Sequence, residues 1–167
     1  MKVIFLDFDG VITVPETKWH LSTIHMKRLG KILDATGASI VVSSSWRYGG
    51  IESLLENITD PNYFLCRPLE SNPNIGTFLY PEKIIDVTPT IIVGKPSYSE
   101  TGVDRGYEID AWLRSNEHFK IESYLIIDDD SDFLEEQKKH FVHTNYREGL
   151  TEENVEQAIK LLNEYGK

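Results

Sequence analysis

The sequence predicts an α/β fold with a mainly parallel, five-stranded sheet, and three observations support this prediction. Short apolar runs alternate along the chain with stretches in which apolar residues recur at helical spacing, a pattern typical of interleaved strands and helices. The first run, Val3–Leu6, is entirely apolar, as expected of a strand buried on both faces. Two runs end directly in aspartates, at Asp7 and at Asp128. We therefore expect a parallel sheet with acidic groups at one edge.

The first half of the chain is expected to contain two strands and two helices. After the first strand comes an irregular loop, and Ser22 and Gly37 mark the two ends of a helix, because serine caps helix N-termini and glycine ends helices. The second strand is expected at Ser39–Val42, followed by a serine-rich turn and a short helix. The stretch Thr59–Pro89 is rich in proline and asparagine, and it is expected to be an irregular excursion that acts as a small cap or lid.

The second half of the chain is expected to supply three more strands and two helices. The third strand is predicted at Thr90–Val93, and a loop leads from it into a helix around Trp112. The fourth strand is Tyr124–Ile127, and a weaker fifth strand begins near Phe141. A closing helix is predicted after Thr151, which is placed to cap it.

Length and composition bound the class of protein. The chain has 167 residues, 40% of them hydrophobic, so we expect one domain over residues 1–167. Its formal net charge of -10 disfavours binding along an extended nucleic acid. Cys66 is the only cysteine, and there is neither a charged leader nor a long apolar run. These features predict a cytoplasmic protein without disulfides or a membrane segment.

The aspartates at the strand ends predict phosphate chemistry with a metal ion. Asp7 and Asp9 face one volume if the backbone stays extended, and Asp128 and Asp129 end the fourth strand. Two carboxylates about 4 Å apart repel by roughly 4 kcal/mol at an effective dielectric near 20, so a cation is expected among them. Oxygen ligands without histidine or cysteine favour Mg²⁺, which commonly also binds phosphate. Asp7 is then a candidate nucleophile, and Asp9 a candidate proton donor and acceptor.

A structural interpretation of the second acidic group is also open. Asp130 or Ser131 can cap a helix at 133–139, where acidic residues favour the positive helix end. The joint occurrence of two acidic strand ends favours a site, because capping does not require an apolar strand before each acidic group.

The stretch Asp7-Phe8-Asp9-Gly10-Val11 follows the pattern Asp-x-Asp-Gly followed by Thr or Val, and through it the chain resembles the haloacid dehalogenase (HAD) superfamily of phosphohydrolases. The resemblance implies a Rossmann-like three-layer sandwich with a minimal cap. It also implies that Asp7 is the nucleophile and Asp9 the general acid/base. The implied metal ligands are Asp7, the Asp9 carbonyl, Asp128 and Asp129.

The resemblance leaves alternatives at the other two motifs. The hydroxyl that holds the phosphoryl group is Ser43, with Ser44 as a close alternative. The required cation is Lys95 or Arg105, and we favour Arg105 because it lies at a predicted helix start, where backbone N–H groups favour anions. Arg47 either contacts a substrate phosphate or pairs with a surface acid.

A narrower resemblance, to small HAD domains also found attached to RNA-repair proteins, covers most of the chain. It implies a phosphorylated nucleotide or nucleic-acid end as the substrate. The sequence thus predicts a Mg²⁺-dependent phosphomonoesterase that forms an aspartyl phosphate; the alternatives are a phosphorylation-switched receiver-like domain and a non-catalytic interaction module. In the loop at 15–20, Trp19 either stacks on a base or packs internally. The residues that carry this resemblance are Ser43–Arg47, Thr88, Pro89, Arg105, Glu108, Ile109, Trp112, Leu113, Asp128–Asp130 and Gly149–Thr151.

Overall fold

The computed structural model describes residues 1–67, 72–91 and 104–164. Its sheet has five strands in the order 3-2-1-4-5, and every neighbouring pair is parallel. The predicted α/β class and five-stranded sheet are confirmed. The strands are β1 (Lys2–Leu6), β2 (Ser39–Val42), β3 (Ile84–Val87), β4 (Ser123–Asp128) and β5 (Phe141–His143).

The described residues also form four α-helices, and capping side chains mark two of them as predicted. At the start of the first helix, the Ser22 hydroxyl accepts a hydrogen bond from the His25 N–H at 3.5 Å, and at its end Gly37 has a φ of 67°. Before the last helix, Thr151 Oγ1 accepts from the Asn154 N–H at 3.2 Å. Within the described ranges, no helix combines the length and the apolar character that a membrane span needs. The helices are α1 (Thr23–Thr36), α2 (Gly50–Thr59), α3 (Arg105–Ser115) and α4 (Glu152–Glu164).

The third strand does not lie where the sequence predicted it. β3 lies inside Thr59–Pro89, which was predicted to lack regular structure; Thr90 and Ile91 follow the strand without regular structure, and residues 92 and 93 lie outside the described residues. β3 is an edge strand in which only Ile84 is buried. Its polar residue, Asp86, accepts a hydrogen bond from Trp112 Nε1 at 2.7 Å. A half-exposed edge strand with an internal acid lacks the apolar run that marked the other strands, which explains the error.

The sheet separates two apolar cores, so the molecule has three layers. On one face, Ile4 and Leu6 pack with buried residues of α1, α2 and α4. On the other face, Val3 and Phe5 pack with buried residues of α3. Because both faces of the sheet are covered, a ligand reaches the strands only at their ends.

Candidate active site

The acidic ends of β1 and β4 lie side by side. The two strands pair with Leu6 opposite Ile127, and the Asp7 N–H donates to the Ile127 carbonyl at 3.0 Å. As a result, one carboxylate oxygen each from Asp7, Asp128 and Asp129 lies within 4.8 Å of the others. The proximity that the two apolar runs predicted is therefore confirmed.

Arg105 bridges the first and the fourth strand. Its Nη1 donates to Asp7 Oδ1 at 2.8 Å, and its Nε lies 3.4 Å from Asp128 Oδ2. The helix α3 begins at this residue, and the Arg105 N–H donates to Asp132 Oδ2 at 2.9 Å, which holds the helix start against the loop after β4. Of the two candidate cations, Arg105 thus lies in the acidic cluster, whereas Lys95 lies outside the described residues.

Burial makes the carboxylates of this cluster hard to ionise. Asp7 is 5% exposed and Asp128 is fully buried. Desolvation raises the pKa of Asp7 to about 6, although the charge of Arg105 opposes the shift. Desolvation and the neighbouring Asp7 raise the pKa of Asp128 to about 8. Burial also raises the pKa of Asp129. One arginine therefore does not offset three acids, and the cluster favours an additional cation.

The donor set fits a hard divalent cation. Asp128 Oδ1 accepts from the Asp130 N–H at 3.0 Å. The buried Asp128 Oδ2 lies 3.4 Å from Arg105 Nε but has no hydrogen-bond partner among the described residues. A buried carboxylate oxygen without a hydrogen bond is costly, and Arg105 shares its charge between Asp128 and Asp7, so a further cation is favoured. The three clustered groups are all carboxylates. Mg²⁺ binds carboxylate oxygens, whereas softer metals prefer thiolate or imidazole ligands.

Gly10 explains how Asp129 approaches the first strand. The φ of Gly10 is 72°, and a Cβ added there would lie 2.3 Å from Asp129 Cγ. Only glycine combines this backbone conformation with the space that Asp129 needs. The glycine of the Asp-x-Asp-Gly stretch thus helps to form the cluster.

Asp9 belongs to the same site, but its carboxylate is held by other residues. It lies close enough to Asp7 to raise the pKa of that group, whereas its own oxygens accept from Thr13 Oγ1 at 2.7 Å and from Trp46 Nε1 at 3.1 Å. Sequence reasoning missed both donors. The position of Trp46, directly after the serines that end β2, was an available signal; Thr13 had none, because the turn that brings it to Asp9 is irregular.

Both serine candidates lie at the end of β2 beside the cluster. The Ser44 side chain lowers the pKa of the Asp7 carboxyl, and its hydroxyl accepts from the Trp46 N–H at 3.4 Å. The Ser43 hydroxyl is buried without a partner among the described residues, while the Ser43 carbonyl accepts a hydrogen bond from Arg105. Ser43 and Ser44 therefore both stay candidates for the phosphate-binding hydroxyl.

Arg47 is held by groups of the protein itself, and its contact with a substrate phosphate stays a prediction. It is 5% exposed, and its guanidinium donates to the carbonyls of Thr88, Ser43 and Ser44 at 3.1, 2.9 and 2.8 Å. It also forms an ion pair with Glu108, which is buried rather than on the surface as the alternative interpretation assumed. We therefore reinterpret Arg47 as a residue that joins the ends of β2 and β3 to α3.

The acidic residues 128–130 do not serve as a helix cap. The segment that follows them is a 3-10 helix at Glu135–His140, and the residue at its N-cap position is Leu134 rather than Asp130 or Ser131. The capping interpretation of this acidic group is therefore wrong, and the cluster at the strand ends needs another explanation.

Comparisons with known proteins agree with this geometry. Residues 3–155 match the family described as the HAD domain in Swiss Army Knife RNA repair proteins. The comparison with curated proteins finds no match, and neither does the comparison with solved structures. The family match covers most of the chain, including Asp7, Asp9, Arg105, Asp128 and Asp129. The chain therefore belongs to the HAD domain family of Swiss Army Knife RNA repair proteins.

Proposed function

We propose that this protein is a Mg²⁺-dependent phosphatase that hydrolyses a phosphomonoester through an aspartyl phosphate on Asp7. The observation that carries the proposal is the cluster of Asp7, Asp128 and Asp129, whose carboxylate oxygens lie within 4.8 Å of one another, with Arg105 between Asp7 and Asp128. Phosphoryl transfer needs a positioned nucleophile and fixed positive charge near the phosphoryl oxygens. This arrangement offers both.

The proposed reaction has two steps, each using Asp7 and Asp9. In the first, an Asp7 carboxylate oxygen attacks phosphorus, the bond from phosphorus to the leaving oxygen breaks, and Asp9 gives that oxygen a proton. In the second, Asp9 takes a proton from water, and the water oxygen attacks phosphorus. The bond from phosphorus to the Asp7 oxygen breaks, which releases inorganic phosphate and restores the Asp7 carboxylate. Thr13 and Trp46 orient the Asp9 carboxylate for both proton transfers.

The remaining residues bind the metal and the phosphoryl group. Asp7, Asp128, Asp129 and the Asp9 carbonyl would hold Mg²⁺, which when bound offsets negative charge on the phosphoryl oxygens. Arg105 supplies fixed positive charge to the same oxygens. The phosphate-binding candidates also include the hydroxyl of Ser44 or Ser43, and Lys95 as the alternative cation.

The proposed substrate is a nucleotide or a terminal phosphate of a nucleic acid. Membership in a family described by its place in RNA repair proteins supports this class. The net charge of -10 disfavours long contacts with a polyanionic strand. A single phosphorylated end is compatible with both observations.

A substrate screen tests the proposal. Nucleotides, sugar phosphates and RNA or DNA oligonucleotides with phosphorylated ends are incubated with the protein and Mg²⁺, and released phosphate is measured. We expect many turnovers per protein molecule with at least one class. Asp7→Asn should lose nearly all activity and stay folded, because the amide removes one of the mutually repelling charges. Asp34→Asn, at an exposed position of α1, is the matched control and should keep full activity.

Two outcomes would contradict the proposal. A single, long-lived phosphorylated form without turnover would indicate a phosphorylation switch. No hydrolysis of any ester, together with no Mg²⁺ binding in calorimetry, would indicate a non-catalytic interaction module.

A further inference from the structure

A cleft of about 430 Å³ opens beside Asp9, and its lining is mainly aromatic. Asp9 is the one charged residue in the described part of this lining. The cleft is therefore suited to a flat, uncharged group rather than to a second phosphate or a charged side chain. The lining residues are Asp9, Trp19, Trp46, Phe64 and Leu65.

Trp19 is held at the cleft by a strained turn. Lys18 and Trp19 have φ values of 53° and 63°, in a backbone region that residues other than glycine rarely adopt. Trp19 remains 39% exposed, so burial of its indole does not explain the strain. Strained backbone of this kind clusters at ligand-binding and active sites, which indicates that the exposed indole has a function.

Further contacts hold the turn and one face of the indole. The backbone N–H of Trp19 donates to the Val14 carbonyl at 3.0 Å, and the Thr17 hydroxyl donates to the same carbonyl at 3.0 Å. The Trp19 ring also stacks on Tyr146, with ring centroids 6.3 Å apart and planes 14° apart. A preorganised aromatic surface binds a planar ligand with less loss of side-chain entropy than a mobile one.

The position of Asp9 relates the cleft to the reaction. In the proposed reaction, Asp9 gives a proton to the leaving oxygen, so the group attached to that oxygen lies on the Asp9 side of the phosphoryl group. Trp46 lines the cleft and also donates to Asp9 Oδ2, which joins the cleft directly to the proton donor. The leaving group therefore meets the aromatic lining.

We propose that this cleft binds the nucleobase of the leaving nucleoside, with Trp19 and Phe64 as stacking surfaces. This inference rests on the proposed function, because it uses the role of Asp9. The ligand chemistry is a nucleoside joined to the scissile phosphate, supplied either by a free nucleotide or by the end of an RNA strand.

The test compares substrates with and without a base. The value of kcat/KM is measured with nucleoside monophosphates, as 3′ and 5′ esters, and with ribose 5-phosphate, for the wild type and for Trp19→Leu. Stacking on an aromatic side chain changes affinity by about fivefold or more per base. We expect Trp19→Leu to lower kcat/KM for nucleotides at least about fivefold and to leave ribose 5-phosphate unchanged. Trp19→Phe, which keeps a ring, should retain most of the nucleotide activity.

Phe119→Leu is a matched control. Phe119 is 40% exposed and stacks on Trp112 with centroids 6.3 Å and planes 13° apart, almost the geometry of the Trp19 stack. It precedes β4, so it lies near the opposite ends of the strands from the site. Phe119→Leu should leave kcat/KM unchanged for both nucleotides and ribose 5-phosphate. Equal losses for nucleotides and ribose 5-phosphate in Trp19→Leu, or no loss for either, would overturn the inference.

Two further arms separate the possible explanations. A short oligoribonucleotide with a terminal phosphate distinguishes the sources: a higher kcat/KM than for the matching nucleotide assigns the cleft to an RNA end, and an equal or lower value assigns it to a free nucleotide. If no ester is hydrolysed, the proposed function fails, but the cleft is still tested by calorimetry with unphosphorylated nucleosides. Binding that weakens in Trp19→Leu supports the base site, and absence of binding to the wild type overturns it.

Discussion

At the scale of single residues, Gly10 controls how closely the loop after β4 approaches the loop after β1. Two requirements favour glycine at this position. The first is conformational, because the φ of Gly10 is positive. The second is steric, because a Cβ added there would lie 2.3 Å from Asp129 Cγ. A second glycine of the chain allows the two to be distinguished.

Gly10→Ala is predicted to weaken Mg²⁺ binding at least about tenfold, because the added methyl group displaces the Asp129 carboxylate. The free energy of unfolding should also fall by about 1 kcal/mol or more, since alanine is strained at this φ. Mg²⁺ titration calorimetry and urea unfolding measure the two effects.

Gly37→Ala is the control for the effect of backbone strain alone. Gly37 has a similar φ of 67°, but an added Cβ would meet nothing within 4 Å. It should lose stability without losing Mg²⁺ affinity. Equal Mg²⁺ affinities for both variants and the wild type would contradict the assigned role of Gly10.

Arg105 is the residue on which the phosphate-binding proposal depends most. Arg105→Gln should lower kcat/KM about 100-fold or more, because a buried charge-assisted contact to the transferring group is lost. Phosphate release with the best substrate of the screen measures this effect.

Arg114→Gln is the matched control on the same helix. Arg114 is 76% exposed and pairs with Asp110 at 2.8 Å. Exposed pairs contribute little, so this variant should behave as wild type. If Arg105→Gln also retained full activity, Lys95 would become the stronger candidate for the phosphate-binding cation.

At the scale of elements, the buried pair of Arg47 and Glu108 holds together the parts that surround the site. Arg47 binds the carbonyls at the end of β2 and the Thr88 carbonyl after β3. Glu108 lies on α3, and its Oε1 accepts from the Ile91 N–H at 3.1 Å. The pair thus positions α3, and with it Arg105, relative to the strand ends.

Arg47→Met is predicted to lower the free energy of unfolding by about 3–5 kcal/mol, because it leaves the Glu108 charge buried without its partner. The double variant Arg47→Met, Glu108→Leu should recover part of this loss. Urea unfolding measures both values, and Lys31→Met, which removes an exposed partner of Glu152, should leave stability close to that of the wild type. An Arg47→Met protein of wild-type stability with poor substrate affinity would instead support direct phosphate binding by Arg47.

Elements with a strong local signal were predictable: the apolar runs of β1, β2 and β4, and the caps of α1 and α4. The proximity of Asp7 and Asp128 followed from strand ends that share one edge of the sheet. β3 was misplaced because an edge strand with Asp86 inside it has no distinct apolar pattern.

Partners within the site were less predictable than the acidic residues themselves. The hydrogen bonds from Thr13 and Trp46 to Asp9 depend on irregular turns, whose geometry a single sequence does not specify. Arg47 was ambiguous for a related reason. The residues around Arg47 are compatible both with an exposed turn and with a buried ion pair. Only the position of Glu108, which is distant in sequence, shows that Arg47 forms a buried pair.

At the scale of the whole molecule, the buried acids couple stability to pH. Folding raises the pKa of Asp128 from 3.8 to about 8 and that of Asp7 from 3.8 to about 6. At a pH between 3.8 and about 8, the folded protein therefore keeps protons on these carboxyls that the unfolded chain has released. The free energy of unfolding of the metal-free protein should therefore fall as pH rises through this window, with each proton contributing at most about 1.4 kcal/mol per pH unit.

Urea unfolding in a chelator at about pH 5 and about pH 8 measures this dependence. Asp128→Asn should flatten the slope, because the group responsible for much of the dependence no longer titrates. Saturating Mg²⁺ should also flatten it, since bound cations favour the ionised carboxylates of the folded state. Burial lowers the pKa of His25 and of His140, which makes stability rise with pH below about pH 6.5, so the decisive quantity is the difference between the wild type and Asp128→Asn. Equal slopes for the two proteins would show that burial does not destabilise the Asp128 carboxylate.

The central claim is that the ends of β1 and β4 jointly bind one divalent cation, and Mg²⁺ titration calorimetry tests it most directly. The wild type should bind one ion, and Asp128→Asn should lower the affinity at least about tenfold. Asp130→Asn, in the same loop but outside the cluster of three carboxylates, should bind nearly as the wild type does. A wild type that binds no Mg²⁺, or an Asp128→Asn protein with unchanged affinity, would contradict the account.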